Sequence, residues 1–389
     1  MISNPSCTAE GQIIISATCS TRCFAHQHSV ATITASSSTM YLPRILPFLA
    51  AAATALPANQ TAPGTIPGTT GHYVAAGGHK YYFLESQPAG SPIGTILLFH
   101  GFPDFSYAWR YQVPYFTSLG YRVIAPDLLG YANTDAPCDI TQYALKKMST
   151  DMTELLDQVA PGEKIIVGAH DWGAGLAYNF ATWYPDYLKA YFTISVPYNR
   201  PWLGPALEWV DLLDLVENGT YPTLGYQLQW REIAINRNFT TRDQTRSFLN
   251  TGFGGLTPEG ESALSSSEGL LYNLMPLLGN QSLVSAEDFE VYVDKISQKG
   301  LASGFNWYRT RRINWEDELP LAKKGPFKFT TPYLFIASTK DYFMPPELYN
   351  NTGAYFEDWT IESVDASHWS MWEKPNEVNS IIHKWLLKL

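Results

Sequence analysis

The sequence contains few charged residues, and those it has are mostly acidic. Only 16% of its 389 residues are charged, and 36 acidic against 26 basic residues give a formal net charge of −10. Basic residues gather only in short pairs such as Lys146-Lys147 and Arg311-Arg312. Because nucleic acid requires clustered basic side chains, the sequence excludes a nucleic-acid-binding protein and favours a small neutral substrate.

Cysteines and long apolar segments are also scarce. Three of the four cysteines lie within the first 23 residues, so the region after residue 71 contains only Cys138 and carries no disulfide framework of its own. Residues 45–56 form an apolar run about half the roughly 20 residues that a membrane span needs. The sequence therefore predicts no stable membrane span and leaves the oligomeric state open.

The N-terminal region differs in composition from the rest of the chain. Residues 1–39 are rich in Ser and Thr with almost no charge, which predicts an unstructured or upstream segment. Residues 40–58 begin at Met40 and combine Arg44, an apolar run and small residues, as in a secretory signal peptide. An unstructured Ala-rich tail is the alternative interpretation.

The frequency of glycosylation motifs also favours secretion. Asn-x-Ser/Thr occurs at five positions, where chance would give roughly two or three; they are Asn59, Asn218, Asn238, Asn280 and Asn350. With the candidate signal peptide, they predict a secreted, extracellular glycoprotein.

From residue 72 onward, short β-rich segments alternate with helical patterns. The predicted strands are 80–86, 94–101, 121–127, 163–171, 188–197, 331–341 and 358–365, and the clearest helices are 141–160 and 374–388. Such alternation predicts an α/β fold with a mostly parallel central sheet flanked by helices. Its core would comprise residues 72–197 and 326–389.

The alternation stops between residues 198 and 325. This interval is rich in Trp, Tyr and Leu and is interrupted by Pro and Gly, which predicts an inserted, mainly helical cap over the carboxyl ends of the strands. Its apolar side chains suggest an apolar or aromatic ligand, and the candidate lining residues are Trp202, Trp209, Trp230, Leu271, Leu274 and Met275.

The segment "IIVGAHDWGAG", residues 165–175, predicts a buried strand that turns sharply into a helix, with Asp171 at the turn. Small residues around the turn are typical of a nucleophile elbow, where backbone segments approach closely. The helix N-terminus favours an anion there. Alone, the motif fits an Asp helix cap equally well.

Other motifs favour catalysis. "HGFP" at 100–103 follows an early strand, so the backbone N–H of Phe102 can join that of Trp172 in a two-donor oxyanion hole. Asp341 follows a late strand, and His368 lies in the loop after the next. Nucleophile, acid and histidine in this chain order are typical of α/β-hydrolases.

Over residues 72–389 the chain resembles the epoxide hydrolases of the α/β-hydrolase superfamily. The shared motifs are HGFP, HDWG at 170–173, Lys340-Asp341 and Ser367-His368-Trp369. The cap motifs "GYQLQW" and "FNWYR" correspond to the family's two tyrosines, here Tyr226 and Tyr308. Without the resemblance, both tyrosines would be interpreted as packing residues.

The resemblance implies conversion of an apolar epoxide and water to a vicinal diol through an ester on Asp171. Tyr226 and Tyr308 would bind the substrate and donate hydrogen bonds to its oxygen, with Phe102 and Trp172 lining the site. His368, oriented by Asp341, would then activate water to cleave the ester. No metal or organic cofactor enters this chemistry.

Two alternatives stay open at this point. A haloalkane dehalogenase also uses an Asp nucleophile followed by Trp, but Phe102 and the paired tyrosines disfavour it. A non-catalytic binding protein on the same fold is the other alternative.

Overall fold

The computed structural model describes residues 64–198, 207–325 and 327–389. The predicted upstream segment 1–39, the candidate signal peptide 40–58, Asn59 and Trp202 lie outside these ranges.

An eight-stranded sheet forms the centre of the core. Its strands are β1 (Thr69–Ala76), β2 (His79–Ser86), β3 (Thr95–Phe99), β4 (Arg122–Asp127), β5 (Ile165–His170), β6 (Leu188–Ile194), β7 (Tyr333–Ser338) and β8 (Trp359–Val364). The spatial order is β1-β2-β4-β3-β5-β6-β7-β8. Only the β1–β2 and β2–β4 pairs are antiparallel, and every other pair is parallel.

Burial explains which strands form the parallel centre. All residues of β3, β5 and β7 are buried, in agreement with strands covered on both faces by helices. In contrast, β1 mixes exposed and buried residues at one edge of the sheet. Each of the seven predicted strands is present with bounds shifted by a few residues, whereas β1 was not predicted.

The helices of the core are α1 (Gln112–Ser118), α2 (Leu145–Val159), α3 (Trp172–Trp183), α10 (Ser370–Glu373) and α11 (Pro375–Leu386). The predicted helix 141–160 is divided, because a 3₁₀ turn at Ile140–Tyr143 precedes α2. The predicted fold class, an α/β-hydrolase fold with a mostly parallel sheet flanked by helices, is confirmed.

Between β6 and β7 the described residues are mainly helical. The helices are α4 (Leu212–Glu217), α5 (Tyr226–Trp230), α6 (Arg242–Gly252), α7 (Ala286–Ser297), α8 (Ala302–Phe305) and α9 (Arg311–Ala322), with a 3₁₀ turn at Asn306–Arg309. Buried aromatic side chains from these helices pack into the same hydrophobic core as the residues of the sheet. In the described ranges, no helix is both long and apolar enough to span a membrane.

Candidate active site

Asp171 lies in the turn between β5 and α3 with a backbone φ of 50°. Few non-glycine residues adopt this left-handed region, and strain of this kind is found mainly at functional sites. The turn depends on glycine at two positions. A Cβ on Gly173 would lie 2.3 Å from the Phe99 carbonyl oxygen, and one on Gly101 would lie 2.4 Å from the Asp171 Cβ. The small residues around Asp171 therefore permit the approach of β3 and its following loop.

The loop after β3 directs a backbone donor at Asp171. The Phe102 N–H donates to the Asp171 Oδ1 at 2.7 Å. His100 supports this loop: its Nδ1 donates to the Gly101 carbonyl oxygen at 2.8 Å, and its Nε2 accepts from the Leu128 N–H at 2.9 Å. Burial lowers the pKa of His100 to about 3, so its ring is neutral, as this pair of bonds requires.

Trp172 is the first residue of α3, where backbone N–H groups lack partners within the helix. Its ring meets the Tyr308 ring edge-on, with centroids 5.0 Å apart. The structure thus places both predicted oxyanion residues, Phe102 and Trp172, directly beside Asp171.

The imidazole of His368 lies between two carboxylates. Its Nδ1 is 2.6 Å from the Asp341 Oδ2, and its Nε2 is 3.6 Å from the Asp171 Oδ2. Asp341 follows β7 and also accepts the Phe343 N–H at 3.0 Å, which orients its carboxylate. The structure therefore brings together the three side chains that the chain order predicted as nucleophile, acid and histidine.

This arrangement shifts the pKa values of its members. Burial lowers the pKa of His368, but Asp341 and Asp171 outweigh it and raise the pKa to about 10. Burial raises the pKa of Asp171, yet His368 and the Phe102 N–H hold it below its usual value. At neutral pH, Asp171 is therefore an ionised carboxylate paired with an imidazolium.

The two predicted cap tyrosines lie next to each other and close to Asp171. Tyr226 begins α5, and Tyr308 lies in the 3₁₀ turn before α9. Their rings are 6.2 Å apart, and both side chains are buried. Burial and the charge of Asp171 raise the pKa of Tyr226, and burial, Tyr226 and Asp171 raise that of Tyr308. Both phenols are therefore protonated donors across the physiological range.

Two cavities meet at these residues. One has a volume of about 410 Å³ and the other about 240 Å³, and Asp171, Tyr226 and Tyr308 line both of them. The smaller cavity also contacts His368 and Asp341. Of the predicted lining residues, Trp209 lines the larger cavity and Trp230 the smaller one. Leu271, Leu274 and Met275 line neither cavity, because they belong to a surface segment of the insertion.

Comparisons with known proteins identify the family of the chain. Residues 94–375 match the family described as alpha/beta hydrolase fold. Epoxide hydrolase srdG of Neurospora crassa is 38% identical over 334 residues, which cover 82% of this chain and 96% of that protein. Epoxide hydrolase A of Mycobacterium tuberculosis is 30% identical, with 82% of this chain and 98% of that protein covered.

This chain belongs to the epoxide hydrolase family. Solved structures of the family have the same fold. Epoxide hydrolase A from Mycobacterium thermoresistibile matches 82% of this chain and 98% of its own, at 26% identity and a TM-score of 0.65. Epoxide hydrolase VrEH1 from Vigna radiata matches 84% of this chain and 100% of its own, at 26% identity and a TM-score of 0.68.

Two residues to which the sequence analysis gave no role in the site hold His368 in place. The Ser195 hydroxyl and the His170 Nε2 both donate to the His368 carbonyl oxygen, at 2.8 and 2.9 Å. Ser195 has a φ of 68°, and its hydroxyl also contacts the Ser338 hydroxyl at 2.8 Å. Burial and His368 lower the pKa of His170 to about 4, so it is a neutral donor.

Asp104 connects the Phe102 loop to the helical insertion. Its Oδ1 accepts the Phe105 N–H at 2.8 Å and the Tyr292 hydroxyl of α7 at 3.0 Å. Arg110 lies behind this pair and forms an ion pair of 3.4 Å with Asp288, also on α7. Within the described ranges, no group of three His, Cys, Asp or Glu side chains is arranged to hold a metal ion.

The raised pKa of His368 predicts a pH-dependent contribution to folding. A raised pKa stabilises the folded state fully below the unfolded value, near 6.5 for histidine, and the stabilisation disappears as the pH rises to about 10. We expect the free energy of unfolding of the native protein to decrease from pH 6.5 to 10 more steeply than that of His368→Gln. Urea titrations across this range measure the difference, and parallel curves would contradict the assignment.

Proposed function

We propose that the chain hydrolyses an apolar epoxide to a vicinal diol through a covalent ester on Asp171. The observation that carries the proposal is the meeting of an ionised carboxylate, a histidine–carboxylate pair and two protonated phenols at one point. The Asp171 carboxylate attacks a ring carbon of the epoxide, and the bond between that carbon and the ring oxygen breaks. The phenols of Tyr226 and Tyr308 donate hydrogen bonds to the ring oxygen as its negative charge develops. One phenol supplies the proton that the ring oxygen gains.

The second step uses the electrostatics of His368. Ester formation removes the negative charge of Asp171, which is one of the two charges that raise the pKa of His368. The imidazolium therefore loses a stabilising partner and deprotonates more readily. His368 can then take a proton from water, which attacks the ester carbonyl carbon while the Phe102 and Trp172 N–H groups bind the oxyanion. The proton that the imidazolium releases restores the phenol. When the tetrahedral intermediate breaks its bond to the diol oxygen, that alkoxide takes the second proton of the water, so the diol leaves with Asp171 ionised and His368 protonated again.

A haloalkane dehalogenase is the competing activity for an Asp nucleophile. Phe102 and the paired phenols favour an epoxide, because a leaving halide needs no proton. Purified protein should hydrolyse styrene oxide to its diol, measured by chromatography, and release no halide from 1-bromobutane. Halide release without diol formation would replace this proposal with the dehalogenase alternative, and neither reaction would favour a binding protein.

Secretion and glycosylation are a separate proposal, and the candidate signal peptide starting at Met40 supports it. The four sequon asparagines within the described ranges, Asn218, Asn238, Asn280 and Asn350, are all exposed and therefore accessible to glycosylation. We expect protein secreted by a eukaryotic host to begin between about residues 55 and 60 and to lose mass on enzymatic deglycosylation. N-terminal sequencing and intact-mass measurement test this, and an intact Met1 or Met40 would contradict the signal peptide.

A further inference from the structure

Arg311 is a cation in the wall of the larger cavity. This residue begins α9 and lines the cavity that contains Asp171. Its Nε is buried, and no described residue accepts a hydrogen bond from it. An arginine is always protonated in a protein, so a positive charge lies in a partly enclosed space.

The neighbouring arginines Arg231 and Arg309 have ion-pair or hydrogen-bond partners. Arg231 pairs with Asp211 at 2.8 Å. Arg309 donates to the Arg231 and Glu232 carbonyl oxygens and to the side chain of Asn306. Asp211 also attracts Arg311, but one carboxylate cannot neutralise two guanidinium groups. Arg231 therefore has a carboxylate and Arg309 several oxygen acceptors, whereas the Arg311 Nε has no acceptor among the described residues.

The acidic residues nearby do not remove this charge. Glu318 lies on α9 seven residues after Arg311, about 10 Å away along the helix axis, and accepts from the Asn179 amide at 2.9 Å.

The smaller cavity differs from the larger one in its lining residues. Its described lining contains no Lys or Arg, and aromatic and aliphatic side chains such as Trp230, Phe248 and Leu270 dominate it. The two cavities share Asp171 and both tyrosines, so a substrate that reacts there can extend one end into each. One end meets apolar side chains, and the other meets the guanidinium of Arg311.

We infer that Arg311 binds a carboxylate on the substrate. This inference rests on the proposed function and narrows it to epoxides with an apolar group on one ring carbon and a carboxylate-terminated arm on the other. A planar guanidinium matches a carboxylate through two parallel hydrogen bonds. Because Asp171 repels an anion, the carboxylate lies at the Arg311 end and the epoxide at the tyrosines.

The test compares acids with their methyl esters. The probes are epoxides that carry a phenyl group on one ring carbon and an alkyl chain of varied length, ending in a carboxylate, on the other. For the chain length that spans the cavity, we expect kcat/KM of the native protein to favour the acid over the ester by about 10- to 100-fold. In Arg311→Met this ratio should fall to about one, whereas Arg311→Lys should retain part of it.

Arg242→Met is the matched control. Arg242 lies on α6, is half exposed and pairs with Glu290 and Asp294 on the surface. This variant removes the same charge from the protein but should keep the acid-to-ester ratio. Equal turnover of acid and ester by the native protein, or an unchanged ratio in Arg311→Met, would overturn the inference while leaving epoxide hydrolysis intact.

A binding measurement separates this inference from the proposed function. Phenylalkanoates of matching length and their amides carry no epoxide, so calorimetric titration reports on Arg311 without turnover. The native protein should bind the carboxylate more tightly than the amide, and Arg311→Met should abolish the difference. Equal binding by the native protein would overturn the carboxylate site, whereas failure to hydrolyse any epoxide would overturn the proposed function instead.

Discussion

The His368→Gln variant is expected to gain the mass of one substrate molecule when it is mixed with an epoxide. His368 is the only described imidazole directed at Asp171, at 3.6 Å, and it is not needed for the carboxylate to attack the ring. The substitution should therefore permit ester formation and slow ester hydrolysis by about 10²- to 10⁴-fold, the usual contribution of a positioned base. Intact-protein mass spectrometry detects the adduct, and peptide mapping should place it on Asp171.

Oxygen labelling tests the same step in the native protein. In heavy-oxygen water with enzyme in excess, the first diol formed should be mostly unlabelled, because its new oxygen comes from the Asp171 carboxylate. The peptide that contains Asp171 should gain the label when the ester is hydrolysed. Asp171→Asn, which removes the nucleophile, provides the control and should form neither adduct nor diol. Labelled diol in the first turnover, with no adduct in His368→Gln, would show that His368 activates water directly.

The fold was predictable because each central strand carries its own local signal. β3, β5 and β7 are continuous apolar runs, and such runs between helical patterns indicate a parallel sheet. β1 was not predicted, because its sequence TTGHYVAA combines Gly, His and small residues in an edge strand with one partner. Its pairing with β2 over eight positions stabilises it, and that information is not local.

The candidate site was only partly predictable, for the same reason. Asp171, Asp341 and His368 follow strands whose carboxyl ends meet at one edge of the sheet, so chain order places them together. The Ser195 hydroxyl donates to the His368 carbonyl oxygen across a sequence separation of 173 residues, and no sequence motif indicates that contact. The missing hydrogen-bond acceptor of the Arg311 Nε likewise becomes evident only in the folded structure, after the neighbouring arginines have been matched with their partners.

Tyr226→Phe and Tyr308→Phe are each expected to slow ring opening by about 10- to 100-fold. This range corresponds to the roughly 1.5–3 kcal/mol of a hydrogen bond to a charged group. The two hydroxyls act on one oxygen, so the double variant should be nearly inactive. Single-turnover measurement of ester formation isolates this step from ester hydrolysis, and only this step should change.

The double variant should fold normally, because both rings and their contacts with Trp230 remain. Tyr226 loses only a 3.2 Å hydrogen bond that its hydroxyl accepts from the Gln227 amide, worth about 1 kcal/mol. Tyr191→Phe is the matched control, since it removes a buried hydroxyl that has no hydrogen-bond partner among the described residues and lies in the sheet. It should retain native activity. Full ring-opening activity in the double variant would show that the phenols only pack the site and that another group protonates the ring oxygen.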